Sequence, residues 1–131
     1  DILVTKDGTI GKVAFVDNLP VPATLNSGVF VIRPLANAFH PKFFYYLLMS
    51  PVFSEFLSKL SAGSTISHLY QKDFVRFSFF VPPTEQQQDY IASALMDMDR
   101  DIHAAEARLT QIRQIKQGMT QELLTGRIRL V

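Results

Sequence analysis

Residues 84–126 read TEQQQDYIASALMDMDRDIHAAEARLTQIRQIKQGMTQELLTG. Ile91, Leu95, Met98, Ile102, Ala105, Leu109, Ile112, Lys116, Met119 and Leu123 recur at alternating steps of four and three. The average period is therefore about 3.5 residues, which keeps a narrow apolar stripe on one side of a continuous helix. No proline interrupts the stripe, Gly118 is its one internal glycine, and Lys116 is its one polar member. At 1.5 Å per residue the stripe runs roughly 50 Å. A helix docked on its own domain is typically about 11–12 residues long and carries a broader stripe. This seam therefore predicts a coiled-coil-forming helix that needs another helix to cover it.

The helix has a marked start. Pro82-Pro83 precede it, Thr84 is placed as an N-cap with Gln87 three residues on, and Glu85 puts negative charge in the first turn. Upstream, Asp1–Val16 reads as a hairpin: Ile2-Leu3-Val4 and Val13-Ala14-Phe15-Val16 flank a turn containing Asp7-Gly8. Val29–Arg33 reads as another strand, stopped by Pro34. Pro41 opens a short helix through Met49, and Ser50-Pro51 restarts a second through Leu60. In that second helix Phe53, Phe56, Leu57 and Leu60 share one face. Ala62-Gly63-Ser64-Thr65 is expected to end it in a loop. Phe74–Val81 reads as a last strand, with Phe77 and Phe79 on one face.

The expected architecture is α+β. Residues 1–83 form a small mixed head of short strands and two short helices, 84–126 the long helix, and 127–131 a C-terminal tail. Phe15, Phe30, Phe43, Phe44, Leu47, Phe53, Phe56, Leu57, Phe77 and Phe79 are the expected core.

Composition narrows the function. The 131 residues contain no cysteine, which excludes disulfides and thiolate metal sites. No run approaches a membrane span and no signal-peptide pattern opens the chain, so no membrane association and a cytoplasmic location are expected. The chain starts without methionine and inside a strand, and reads as a fragment. Net charge is +1, but residues 1–83 carry seven Lys/Arg against five Asp/Glu and residues 84–126 carry four against seven. Any DNA contact would depend on a few placed residues rather than on a general positive field.

Catalytic chemistry finds no support. His40, His68 and His103 stand apart from one another and from other ligand types, so no metal or other cofactor is expected. Gly8-Thr9-Ile10-Gly11-Lys12 has too few residues between its glycines for a phosphate loop, and Val13 stands where Ser or Thr is needed. No nucleophile is paired with a base, and Asp97, Asp99 and Asp101 read as a solvated helix face. Two loops are richer in contact chemistry, the hairpin tip and the stretch from Gly63 through Lys72. Lys6, Thr9, Lys12, Ser64, Thr65, Ser67, His68 and Lys72 supply the hydroxyl and basic groups used on phosphates and base edges. Exposed loops carry such residues in any case. Tyr70 follows the second loop, where an aromatic commonly belongs to the core.

Four segments carry a family resemblance: Asp1-Ile-Leu-Val-Thr-Lys-Asp-Gly-Thr-Ile-Gly-Lys-Val13, Gly63-Ser-Thr-Ile-Ser67, Val81-Pro-Pro-Thr-Glu-Gln86 and Lys116-Gln-Gly-Met-Thr-Gln-Glu-Leu-Leu-Thr-Gly-Arg-Ile-Arg-Leu130. In this order they resemble the specificity (S) subunit of type I restriction–modification systems. The resemblance implies two target-recognition domains in a complete subunit, each followed by a long helix, with the two helices paired antiparallel. Each domain would read half of a bipartite double-stranded DNA site, and methyltransferase (M) and restriction (R) subunits would do the chemistry. This chain matches the later part of one such domain and its helix, and its ending resembles a natural C-terminus. With one helix per chain, an antiparallel homodimer is the expected way to cover the seam. From a different class, a helical assembly module without a DNA role would also account for the long helix.

Overall fold

The computed structural model describes residues 1–35, 38–61 and 68–129. Three strands come first: β1 (Ile2–Thr5), β2 (Val13–Phe15) and β3 (Val29–Ile32). Helices α1 (Pro41–Met49), α2 (Pro51–Leu60), α3 (Gln71–Phe74) and α4 (Glu85–Leu124) follow. The α+β class and the long terminal helix stand as expected. The chain divides into two compact units, Asp1–Ser93 and Ala94–Val131.

The sheet order is β2-β1-β3, antiparallel throughout. Ile2 sits opposite Phe15 on one side and Ile32 on the other, while Val4 sits opposite Val13 and Phe30. Directly opposed residues share a face, so two apolar rows cross the sheet toward the helices. Ile2 and Val4, at the centre of those rows, are fully buried.

The hairpin turn closes through specific bonds. Thr5 N–H donates to the Lys12 carbonyl at 3.0 Å, Gly11 N–H donates to the Thr5 carbonyl at 2.9 Å, and Lys12 N–H donates to Thr5 Oγ1 at 3.0 Å. Gly11 has φ +81°, and a β-carbon there would fall on Leu57 Cδ1 of α2. The turn is thus pressed against the second helix, and a side chain there would displace the tip of Leu57. Gly11→Ala is expected to destabilise the head by at least about 1–2 kcal/mol through the left-handed backbone alone, measured by urea unfolding. Gly8→Ala, also at positive φ but with open space around it, should cost less. Equal losses would remove the packing part of this account.

Both proline-opened helices form where the sequence places them, with Ser50 Oγ accepting from Val52 N–H at the start of α2. Phe43, Phe44 and Leu48 of α1 and Phe53 of α2 are buried. Phe53 is the hub, its ring centroid 5.3 Å from Phe77, 5.9 Å from Phe74 and 6.2 Å from Phe56.

One expected element is different. Phe74–Val81 is not a strand: α3 ends at Phe74, and residues 77–82 run without regular hydrogen-bonded structure. The alternation was real, because Phe77 is buried, Phe79 is half-buried and Phe80 is exposed. However, no sheet neighbour is paired with this segment among the described residues. Its rings pack directly on the helices, with Phe79 5.1 Å from both Phe44 and Phe77. The core also includes Leu69 and Ala92, which lay outside the expected list. The loop expected over Ala62-Gly63-Ser64-Thr65 lies outside the described residues.

The first turns of α4 belong to the head's own packing. Gln87 N–H donates to Thr84 Oγ1 at 3.2 Å, which makes Thr84 the N-cap. Gln88 is 5% exposed, its Oε1 accepting from His40 N–H at 2.7 Å and its Nε2 donating to the Pro82 carbonyl at 2.9 Å. One buried amide therefore satisfies the chain before α1 and the chain before α4, groups that would otherwise be desolvated without partners. The far end stops at Gly126, φ +72°, where Arg127 N–H reaches back to the Glu122 carbonyl at 3.0 Å. This is the left-handed cap that closes many helices.

Candidate nucleic-acid interface

The hairpin tip and the chain entering α3 meet. Asp7 and His68 form an isolated antiparallel bridge, and Leu69 N–H donates to the Lys6 carbonyl at 2.8 Å. The Asp7 carboxylate contacts His68 Nδ1, an ion pair when the imidazole is protonated. Lys6 N–H donates to the Gly28 carbonyl at 2.8 Å, which ties the same point to the start of β3. Leu69, next to this junction, is buried. The backbone is therefore fixed from three directions while the neighbouring side chains remain accessible.

Those side chains form two sets of contacts, Lys6 on Phe30 and a chain through Asp7, His68, Tyr70 and Lys72. Lys6 Nζ lies 5.1 Å from the Phe30 ring centroid, and Lys72 Nζ lies 5.3 Å from that of Tyr70. The His68 and Tyr70 rings are 4.4 Å apart. Tyr70 is 53% exposed and so is not a core residue. An ammonium held over an aromatic face keeps donors for a phosphate oxygen, and an exposed ring beside a lysine offers a stacking surface.

The sequence-predicted residues thus separate. His68 and Lys72 come together with Tyr70, and the Lys6 backbone is bonded to the same segment at Leu69. Thr9 is exposed at the tip, its carbonyl accepting from the Thr5 hydroxyl. Lys12 is exposed on the α2 side, where with Ile10, Leu48, Ser54 and Leu57 it lines an open depression of about 430 Å³. Ser64, Thr65 and Ser67 lie outside the described residues. Asp7 and Phe30 are the members that sequence reasoning missed. Asp7 served there only as a turn residue, and its pairing with a histidine 61 positions later leaves no local trace.

Along α4 the apolar residues named from the 4-3 spacing are largely open to solvent. Met98, Ile102, Leu109, Ile112 and Met119 are all exposed, Ile102 at 54%. Gln88 and Ala92 are the buried positions of this 40-residue helix. Among the described residues no group of His, Asp and Glu is arranged to hold a metal, and no helix is long and apolar enough to cross a membrane.

A family model described as the Type I restriction modification DNA specificity domain matches residues 1–114. The chain is also similar to the Type I restriction enzyme MjaVIII specificity subunit of Methanocaldococcus jannaschii. The two are 28% identical over 121 residues, covering 91% of this chain and 28% of that protein. The chain therefore spans less than a third of the length of this curated relative. No solved structure matches it.

Proposed function

The chain belongs to the type I restriction–modification DNA specificity family, and from that premise we propose that it is part of a subunit that selects the DNA sequence on which such a complex acts. In this reading residues 1–83 are a target-recognition head, 84–126 a helical spacer and 127–131 a tail. Double-stranded DNA is the ligand, and cytoplasmic methyltransferase and restriction subunits, the partners, supply the catalysis. The head is itself non-catalytic and presents Lys6, Thr9, Lys12, His68 and Lys72, with Ser64, Thr65 and Ser67, to the DNA.

The observation that supports this most is the junction of Lys6, His68, Tyr70 and Lys72. It gathers two cations and an exposed ring from separate stretches onto a firmly bonded backbone. Cations at fixed points set register on phosphates, while a neighbouring ring and imidazole can meet base edges. The test is binding of the intact specificity subunit to its DNA across a salt series. Lys6→Ala with Lys12→Ala should weaken binding and lower the slope of log K against log salt by about 1.8, near 0.9 per lost phosphate contact. An unchanged slope removes both lysines from the interface.

Pairing through α4 belongs to the same reading. Its seam residues Ile91, Leu95, Met98, Ile102, Ala105, Leu109, Ile112, Lys116, Met119 and Leu123 would meet a second copy. Glu85–Glu106 holds six acids and the single base Arg100, whereas 107–126 holds Arg108, Arg113 and Lys116 against Glu122. Antiparallel pairing sets unlike halves together. Such exposed charges bias direction and do not drive association.

A further inference from the structure

The start of α4 carries an apolar groove that shares only Ile91 with the seam. It is lined by Pro82, Gln86, Gln87, Tyr90 and Ile91 and holds about 580 Å³. Tyr90 is 77% exposed, and Phe80, two residues before Pro82, is 99% exposed. Accessible apolar side chains such as Tyr90 and Ile91 lining one groove mark an interaction site. Within the head itself, the described residues leave the groove open.

We propose that this groove receives the C-terminal tail of a second copy of the chain, with Ile128 as the inserted side chain. The proposal rests on the antiparallel pairing of α4 given above. Three observations select this occupant.

The first is register. The ten seam positions mirror about Ala107, so one antiparallel register pairs all of them: Ile91 with Leu123, Leu95 with Met119, Ile102 with Ile112. A shift by one heptad would leave apolar layers unpaired at both ends. The full register sets Tyr90 level with the other copy's Leu124, where α4 ends, so the tail that follows lies beside the turn that carries Gln86 and Gln87.

The second is the side of the helix. Gln87 flanks the seam at the position that, in antiparallel pairs, faces its own equivalent on the other helix. Glu122 is the equivalent position at the far end, four residues beyond Gly118. The tail folds onto that flank: Arg127 Nη1 lies 3.2 Å from Glu122 Oε1, and Ile128 N–H donates to the Glu122 carbonyl at 3.2 Å. Ile128 is nevertheless 45% exposed and Leu124 83%. Ile128 therefore offers an apolar side chain next to Glu122, on the helix flank that Gln87 also occupies in the heptad pattern.

The third is charge. Glu85 and Asp89 stand in the two turns that form the groove, and Arg127 and Arg129 bracket Ile128. The Asp89 and Arg127 side chains are 62% and 73% exposed. Opposite charges within about a Debye length of one another favour this docking and oppose two like ends meeting.

The absence of cysteine allows a direct test. Two full-length variants, Gln87→Cys and Ile128→Cys, are mixed, allowed to exchange and mildly oxidised. A disulfide-linked dimer forming in the mixture and in neither variant alone is the expected result. Ile102→Cys mixed with Ile112→Cys reports the seam in the same way. If the seam pair links and the groove pair does not, the tail does not occupy the groove while the helix pairing stands. If Ile128→Cys alone links to itself, the helices run parallel and the proposal is overturned. If nothing links and light scattering shows a monomer at tens of micromolar, the pairing falls and the tail docking with it. As a second readout, Ile128→Ser should weaken the dimer about tenfold or more, since one buried apolar side chain is lost at each end. An unchanged dissociation constant would also overturn the proposal.

Discussion

Phe53→Ala lowers the stability of the head by about 3–5 kcal/mol, the range for emptying a phenylalanine site in a packed core. Phe53 is 1% exposed and touches the rings of Phe56, Phe74 and Phe77. Its neighbours come from α2, α3 and the irregular segment after it. The cavity could close only by moving those three backbone segments. Urea unfolding with an unchanged m-value measures the loss. Phe80→Ala is the control: the same atoms are removed from a ring that is 99% exposed, and its effect should stay within about 0.5 kcal/mol. A Phe53 loss below about 1 kcal/mol would mean that the described core is not the one holding the head.

Ile102→Asp with Ile112→Asp converts the proposed dimer to monomer across the micromolar range. In the full antiparallel register these residues oppose each other, so two substitutions per chain turn two apolar layers into two pairs of facing carboxylates. Each lost isoleucine removes roughly 1.5–3 kcal/mol of burial, and the carboxylates add desolvation and like-charge repulsion. Ala107→Asp with Gln114→Asp adds the same charges on the outward face and should leave the dimer intact. Sedimentation velocity separates the outcomes. Helix content measured by circular dichroism should also fall in the seam variant alone, because a solvated helix is marginal without a packed face. If the two double variants behave alike, the stripe on α4 is not a pairing surface for a second copy.

Local signals carried much of the fold. Asp7-Gly8, Pro41, Ser50-Pro51 and Thr84 are punctuation whose meaning depends on a few neighbouring residues, and the elements they mark are present. Phe74–Val81 failed for a non-local reason. Alternating phenylalanines describe a surface with one buried face, and the helices, rather than another strand, provide the partner. Tyr70 misled in the opposite direction, since nothing nearby reveals that His68 and Lys72 hold its ring at the surface. Gln88 reads as one of three consecutive glutamines. Its buried position follows from the phase of α4 against His40 and Pro82, which no local pattern contains.

The sheet order has a consequence for synthesis. β1 is the middle strand, bonded on both edges, yet it leaves the ribosome before either neighbour. Ile2 and Val4 lack the cover shown here until β2 and then β3 emerge, and Phe44, Leu48 and Phe53 follow later still. Of the three strands β1 is therefore the one that waits longest for the neighbours it bonds to. Slow translation upstream of α2 would prolong that interval and favour pairing with a neighbouring nascent chain over closure on itself.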